Sequence, residues 1–297
     1  MRNFVLEDLI YKCTMMKKFA LFIAAYLLTI NVLVAQEHLP TAADYEAFTK
    51  TRTLVVMDPS PMSDYNFKIK EVMKRHWKVT PYEFITEAEF LKKKDDPSYS
   101  FLLTTTVTFD IDKEKARYTF LSLLLGESDT KVRDMPDLIS IPLSYARVEE
   151  ASYAYKMDAF IRFVQDHVNL MRQNPSLIAK NPLGYYNKNT KSLAGKTLLV
   201  RKTDLQNTVD SEAKIKKVYP YKVKVVSEEQ IMEAIERQDP DVVFLHKVGP
   251  EGGNFKARCY KIIVGAADSQ FYYFDYHTIS KATPDRLLLK DFKKMGS

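Results

Sequence analysis

The sequence predicts an α/β protein: two tandem domains of similar β-α-β-α-β-β-β topology, each a mixed sheet with helices packed on it. Three observations carry this. One cassette occurs twice, at about 53–103 and about 197–245. Each copy alternates short apolar runs with amphipathic stretches, the pattern of parallel strands joined by helical crossovers. Each then passes into apolar runs joined by polar turns, the pattern of antiparallel hairpins.

Taken in order, Leu54-Val55-Val56-Met57 and Leu198-Leu199-Val200 open the copies as short apolar runs, suited to strands buried on both faces. A basic amphipathic stretch follows each, Lys68 to Val72 and Lys214 to Val218; in the first copy it belongs to a predicted helix over 65–76 with Phe67, Ile69, Val72 and Met73 as its stripe. Extended character returns at 77–85 and 221–226. Thr86 with Glu89, and Ser227 with Gln230, then form capping boxes: the hydroxyl takes the third helical N–H and the Glu or Gln reaches back. One such tetrapeptide says little, but two at matching places point to a repeated strand–helix unit. Asp96-Pro97 and Asp239-Pro240 precede the third strands, at 99–104 and 242–246.

Beyond them, a hairpin joins 105–109 to 117–125 around a charged turn at 110–115. Its counterpart joins 242–248 to 256–266 around 249–254. Last strands are expected at 138–143 and 271–279, a lead-in with a helical turn at 42–48, and a closing helix at 284–294. The longest helical pattern is 155–172, with Met157, Phe160, Ile161, Val164, Val168 and Met171 three and four apart. Residues 181–191, with Pro182, Gly184, Asn187 and Asn189, read as a linker. The expected division is a first repeat at 36–150, a helix and linker at 151–191 and a second repeat at 192–297.

The N-terminus reads as an export signal. Lys17-Lys18 precede an apolar run over 19–35, closed by Ala35 before Gln36-Glu37. A positive flank, an apolar centre and a small residue at the cut define a cleavable signal. Thr29 and Asn31 interrupt the run, which is shorter than the roughly 20 residues of a spanning helix. Met15 or Met16 gives a more compact start than Met1, so residues before Met16 read as an over-extended start. The expected location is periplasmic or secreted, with cleavage near Ala35; retention as a membrane anchor is the other outcome.

Composition fits a globular chain, with 46% hydrophobic and 28% charged residues. Setting aside residues 1–35 leaves 40 basic against 36 acidic groups. That balance argues against nucleic acid, which calls for a concentrated basic face. Of two cysteines, Cys13 precedes the expected cut, so a mature chain holds Cys259 alone and no internal disulfide. No cofactor or metal motif is present in the residues. Asp110-Ile111-Asp112-Lys113-Glu114 lacks the glycine of a calcium loop, and Lys113 and Lys115 offset its charge, so it reads as a solvated turn. Asp58 and Asp204 follow the first strand of each copy, and helix capping is the role expected of them.

The weak catalytic candidates are His246, Asp275 and His277. Asp275 and His277 stand two apart on an expected strand and so share a face. Cys259 lies on the strand before. His38, His76 and His167 are isolated and receive no role. The residues match no family we recognise. The expected function is therefore an exported, non-enzymatic binding or assembly protein of the cell envelope, with an unknown protein or small-molecule partner. It would touch the membrane only through its export signal. The alternatives are a secreted hydrolase with its site in the second domain, and small-molecule binding in the cleft between the halves.

Overall fold

A computed structural model describes residues 39–109, 116–146, 148–179, 181–251 and 256–297. The export signal, His38 and the turn at 110–115 lie outside the described residues. The protein is α/β, with two five-stranded mixed sheets. The first half holds α1 (Ala42–Phe48), β1 (Arg52–Val56), α2 (Asp64–His76), β2 (Tyr82–Ile85), α3 (Glu87–Lys93), β3 (Tyr99–Thr108), β4 (Arg117–Leu125) and β5 (Asp137–Tyr145). Then come α4 (Ala151–Ala154) and α5 (Met157–Gln173). The second half holds β6 (Thr197–Val200), α6 (Glu212–Ile215), β7 (Lys222–Val225), α7 (Glu228–Glu236), β8 (Val242–Val248), β9 (Arg258–Gly265), β10 (Phe271–Thr278) and α8 (Leu289–Met295).

The strand orders are β2-β1-β3-β4-β5 and β7-β6-β8-β9-β10. In each sheet two strand pairings are parallel and the two that close it are antiparallel. Local chemistry recurs with the order. Thr86 caps α3 and Ser227 caps α7, each in a complete capping box. Asp96 Oδ1 accepts the Ser98 N–H at 2.8 Å, and Asp239 Oδ1 accepts the Asp241 N–H at 3.0 Å. Both carboxylates tighten the turn that feeds a third strand.

The halves differ where α2 meets its counterpart. α2 runs 13 residues, whereas α6 has four, after two short 3₁₀ turns. The reason lies at the C-terminus. Gln206 N–H donates to Leu287 O at 3.0 Å and Leu287 N–H to Asp204 O at 2.7 Å. That extended pairing, Leu205 beside Leu287, keeps the chain there out of an α-helix. It also shortens the closing helix to Leu289–Met295.

α5 runs through the joint between the halves. Met157, Phe160, Ile161, Phe163, Val164, Val168 and Met171 are all buried on it, each contributing roughly 2 kcal/mol through loss of apolar surface to water. Phe163 stacks on Phe271 of β10 at 3.6 Å, while α2 supplies Ile69, Val72 and Met73 to the same core. Tyr260 of β9 meets Tyr118 and Phe120 of β4 edge-on, at 5.5 and 5.9 Å. One apolar core thus spans both sheets. Smaller clusters lie on the far faces, under α3 and under α6 and α8.

The stretch read as a linker is structured. Residues Leu183–Gly195 coil in 3₁₀ turns, burying Leu183, Tyr186 and Leu193. Its asparagines serve β10, the last strand of its sheet. Asn187 takes the Phe274 N–H at 2.6 Å and donates to Phe274 O at 2.9 Å. Asn189 donates to Phe271 O at 2.8 Å. Side-chain amides here satisfy backbone groups that a neighbouring strand would otherwise take. No helix among the described residues is long and apolar enough to cross a membrane.

Candidate functional site

The register of the second sheet decides which candidates can meet. His246 of β8 lies opposite Ile262, and Ile262 opposite Phe274. Lys247 lies opposite Lys261, and Lys261 opposite Asp275. Directly opposed residues share a face and successive residues alternate. His246 therefore points to the face opposite that of Asp275, His277 and Cys259.

Each candidate is also engaged elsewhere. His277 Nε2 donates to Pro284 O at 2.9 Å, and burial holds its imidazole below the usual range. Asp275 accepts from Tyr273 Oη at 3.1 Å, from the Tyr276 N–H at 2.8 Å and from Lys294 Nζ at 2.6 Å. Cys259 stands opposite His277, but its thiol donates to Arg286 O at 3.8 Å. Burial, then the nearby Asp285 carboxylate, pushes that thiol well up, so it stays protonated and a poor nucleophile. Asp58 and Asp204 are not the caps expected of them: Ser63 caps α2 and Ser211 caps α6. Asp58 Oδ1 instead accepts the Ser60 N–H, and Asp204 holds Arg201. His76 and His167 do have partners, Asp158 at 2.6 Å and Tyr186 Oη at 2.8 Å.

The polar groups that do converge lie elsewhere, in a crevice between the halves. It forms where β6 and β8 run parallel and their following loops part, since β6 connects to β7 on its other side. In open α/β sheets this switch point, beyond the carboxyl ends of the strands, is where ligands bind. Arg201 follows β6, and His246, Lys247 and Gly249 come from the end of β8. Ser144 and Tyr145 come from β5, Tyr153 from α4, and Lys156 from the break before α5.

Most of these charges are matched. Arg201 holds Asp204 through Nε at 2.8 Å and Nη2 at 3.2 Å, and reaches Glu228 at 2.5 Å. Lys247 Nζ lies 3.0 Å from Asp285 Oδ2, and the Glu251 N–H donates to the same oxygen at 2.8 Å. Gly249 is needed for that fit, because a Cβ there would lie 1.9 Å from Asp285 Oδ1.

Two groups are not matched. Lys156 is only 4% exposed. Its ammonium lies 4.9 Å from the centre of the Tyr155 ring, with no hydrogen-bond acceptor or ion-pair partner among the described residues. Burial, then the neighbouring Arg201 charge, lowers its pKa to about 8. His246 Nε2 lies 3.1 Å from Pro142 O. A carbonyl only accepts, so Nε2 carries the proton and Nδ1 presents a lone pair. Nδ1 is buried without a donor, and burial beside Lys156 holds the imidazole neutral, well below its ordinary range. The cavity measures about 10 Å³, room for about one water.

Among the described residues no three His, Cys, Asp or Glu side chains are grouped to hold a metal ion. No family model, curated protein or solved structure matches the chain.

Proposed function

We propose that the chain is an exported, non-enzymatic binding or assembly protein of the cell envelope, built by tandem duplication of one β-α-β-α-β-β-β domain. The observation that carries this over the hydrolase reading is the register: His246 and the Asp275–His277 pair lie on opposite faces of one sheet. A hydrolytic set needs base, orienting group and nucleophile within hydrogen-bond reach of one reacting atom. The duplication is supported by the equal strand orders, the paired capping boxes and the paired Asp-Pro turns. In this reading nucleic acid is not a partner, and the membrane is met only through residues 19–35 before cleavage near Ala35.

Native mass spectrometry of the chain purified from the envelope fraction tests the reading. The expected result is a stoichiometric protein or small molecule that denaturation releases. A bare monomer, or turnover of ester or peptide substrates that His277→Ala abolishes, would reverse it.

A further inference from the structure

Two large apolar side chains stand in water five residues apart, at the start of α2. Met62 is 77% exposed and Phe67 is 59% exposed. Ser63 between them caps the helix, so Met62 precedes the cap and Phe67 takes the fourth helical position. Those are the positions of a hydrophobic staple, whose two side chains meet beside the cap. Such a contact leaves most of both side chains exposed here, so the staple alone does not account for an aromatic ring. The fold does not call for one either. In the recurring basic stretch, Ala213 precedes Lys214-Ile215-Lys216 as Phe67 precedes Lys68-Ile69-Lys70, and Ala213 is exposed too.

Cations continue the same face. Residues three and four apart are neighbours on a helix, so Phe67, Lys70 and Lys74 form one stripe. Both lysines are exposed, and neither has an ion-pair partner among the described residues. The carboxylate beside them, Glu71, is already held by Lys68 at 3.2 Å and Arg75 at 2.5 Å. A helix rises about 1.5 Å per residue, so the lysines follow the ring at roughly 5 and 10 Å along the axis. What complements this face is an apolar group with carboxylates or phosphates beside it. A bilayer with anionic headgroups offers both, but Asp64 decides against it. Asp64 is exposed one turn before Phe67 on the same face, so lowering the ring into lipid would carry a carboxylate to the anionic headgroups. An acidic peptide can set its carboxylates over the lysines and leave Asp64 in water.

We propose that the exposed face of α2 docks an acidic segment of a partner protein, which seats an apolar side chain on Met62 and Phe67 and sets carboxylates over Lys70 and Lys74. The inference rests on the binding reading and names where the partner docks and by what chemistry. If a stoichiometric protein partner is found and Phe67→Ser and Lys70→Glu/Lys74→Glu hold it as tightly as the parent does, this inference alone falls. If the chain turns over substrate, the binding reading falls whatever this face does.

The test pans a displayed library of random dodecapeptides on the full chain. The expected result is enrichment of peptides that pair an apolar residue with two nearby Asp or Glu. Their affinity, read by fluorescence polarisation, should fall tenfold or more in Phe67→Ser and in Lys70→Glu/Lys74→Glu. Lys216→Glu/Lys217→Glu makes the same charge change on exposed lysines of the second copy, and should stay within twofold of the parent. No acidic–apolar enrichment, an equal loss in both charge-reversed chains, or no loss in Phe67→Ser would overturn the proposal. So would binding to phosphatidylglycerol vesicles that Phe67→Ser abolishes, because the face would then belong to a membrane. Should a variant fail to fold, acetylation of the parent chain read by mass spectrometry decides. An enriched peptide should slow reaction at Lys70 and Lys74 tenfold while Lys216 reacts unchanged, and equal rates at Lys70 and Lys74 with and without peptide overturn the proposal.

Discussion

Lys261 and Asp291 form a buried ion pair that fastens the closing helix α8 to the second sheet. Lys261 Nζ lies 3.0 and 3.1 Å from the two carboxylate oxygens, and both side chains are 0% exposed. The same carboxylate accepts the Tyr273 hydroxyl at 2.8 Å and the Leu288 N–H at 2.8 Å, which caps α8. Lys261 also stands directly opposite Lys247. Two buried like charges on adjacent strands repel, so Asp285 and Asp291 each neutralise one, and together they clamp residues 285–291 onto the sheet.

Removing one partner of such a pair should therefore be severe. Asp291→Asn leaves Lys261 uncompensated and keeps an acceptor for only one of the Tyr273 hydroxyl and the Leu288 N–H, which use different oxygens, at an expected cost of about 3–5 kcal/mol. Adding Lys261→Met should restore most of that loss. Urea unfolding midpoints check both, and a single variant within about 1 kcal/mol of the parent would mean that the pair contributes little.

Asp137 and His167 should oppose each other in the pH dependence of stability. Burial raises the Asp137 carboxyl to about 6, although Ser140 Oγ donates to it at 2.6 Å. Its folded pKa lies above the unfolded one, so its contribution is full below about 4 and is lost as pH rises through about 6. Burial lowers His167 to about 4. Its folded pKa lies below the unfolded one, so its contribution is full above about 6.5 and is lost as pH falls through about 4. Each shift is worth about 3 kcal/mol, so the parent chain should change little between pH 6.5 and 4 through these two groups. Asp137→Asn should make stability fall more steeply as pH drops through that window. His167→Leu should make it rise. Unfolding free energies at pH 4, 5 and 6.5 decide; parallel profiles for all three chains would refute the opposition.

Cys259 and His277 oppose each other on the sheet face away from His246. Substituting either by Ala should leave binding of the chain's partner within a factor of about two, because both groups are spent on the backbone carbonyls of Arg286 and Pro284. Affinity measured on purified variants checks this, and a tenfold loss in His277→Ala alone would return it to the site.

Much of this fold was legible because its signals are local. Capping boxes, Asp-Pro turns and short apolar runs each act over a few residues, and all of them formed at the places expected. The crevice was not legible. The helical pattern over 155–172 continues through Lys156, with no Gly or Pro to mark the break between α4 and α5. The available signal was a lone lysine set among Tyr153, Ala154, Tyr155 and Met157. The lysine row across β8 and β9 was hidden for another reason. Alternation gives each strand's faces, but only the register tells which residues oppose. The short crossover at 202–215 depends on pairing with Leu287, some eighty residues on, which no local window contains.

Asn187 gives the clearest test of the segment that polarity alone made look like a linker. Its amide closes a two-bond ring with the backbone of Phe274, accepting from N–H at 2.6 Å and donating to the carbonyl at 2.9 Å. Asn187→Ala would strand both backbone groups of a residue on the outermost strand of its sheet. Each lost bond at a part-buried site is worth about 1 kcal/mol, so the expected loss is about 2 kcal/mol. The loss should also be local: the amides of 271–276 should exchange with solvent sooner than those of β8, which is paired on both sides. Asn187→Asp tests the donor by itself, since it keeps the acceptor for the Phe274 N–H and sets a carboxylate against the carbonyl. It should cost at least as much as Asn187→Ala. Hydrogen exchange read by mass spectrometry separates the outcomes, and unchanged protection over 271–276 in both variants would make the segment the passive linker its composition suggested.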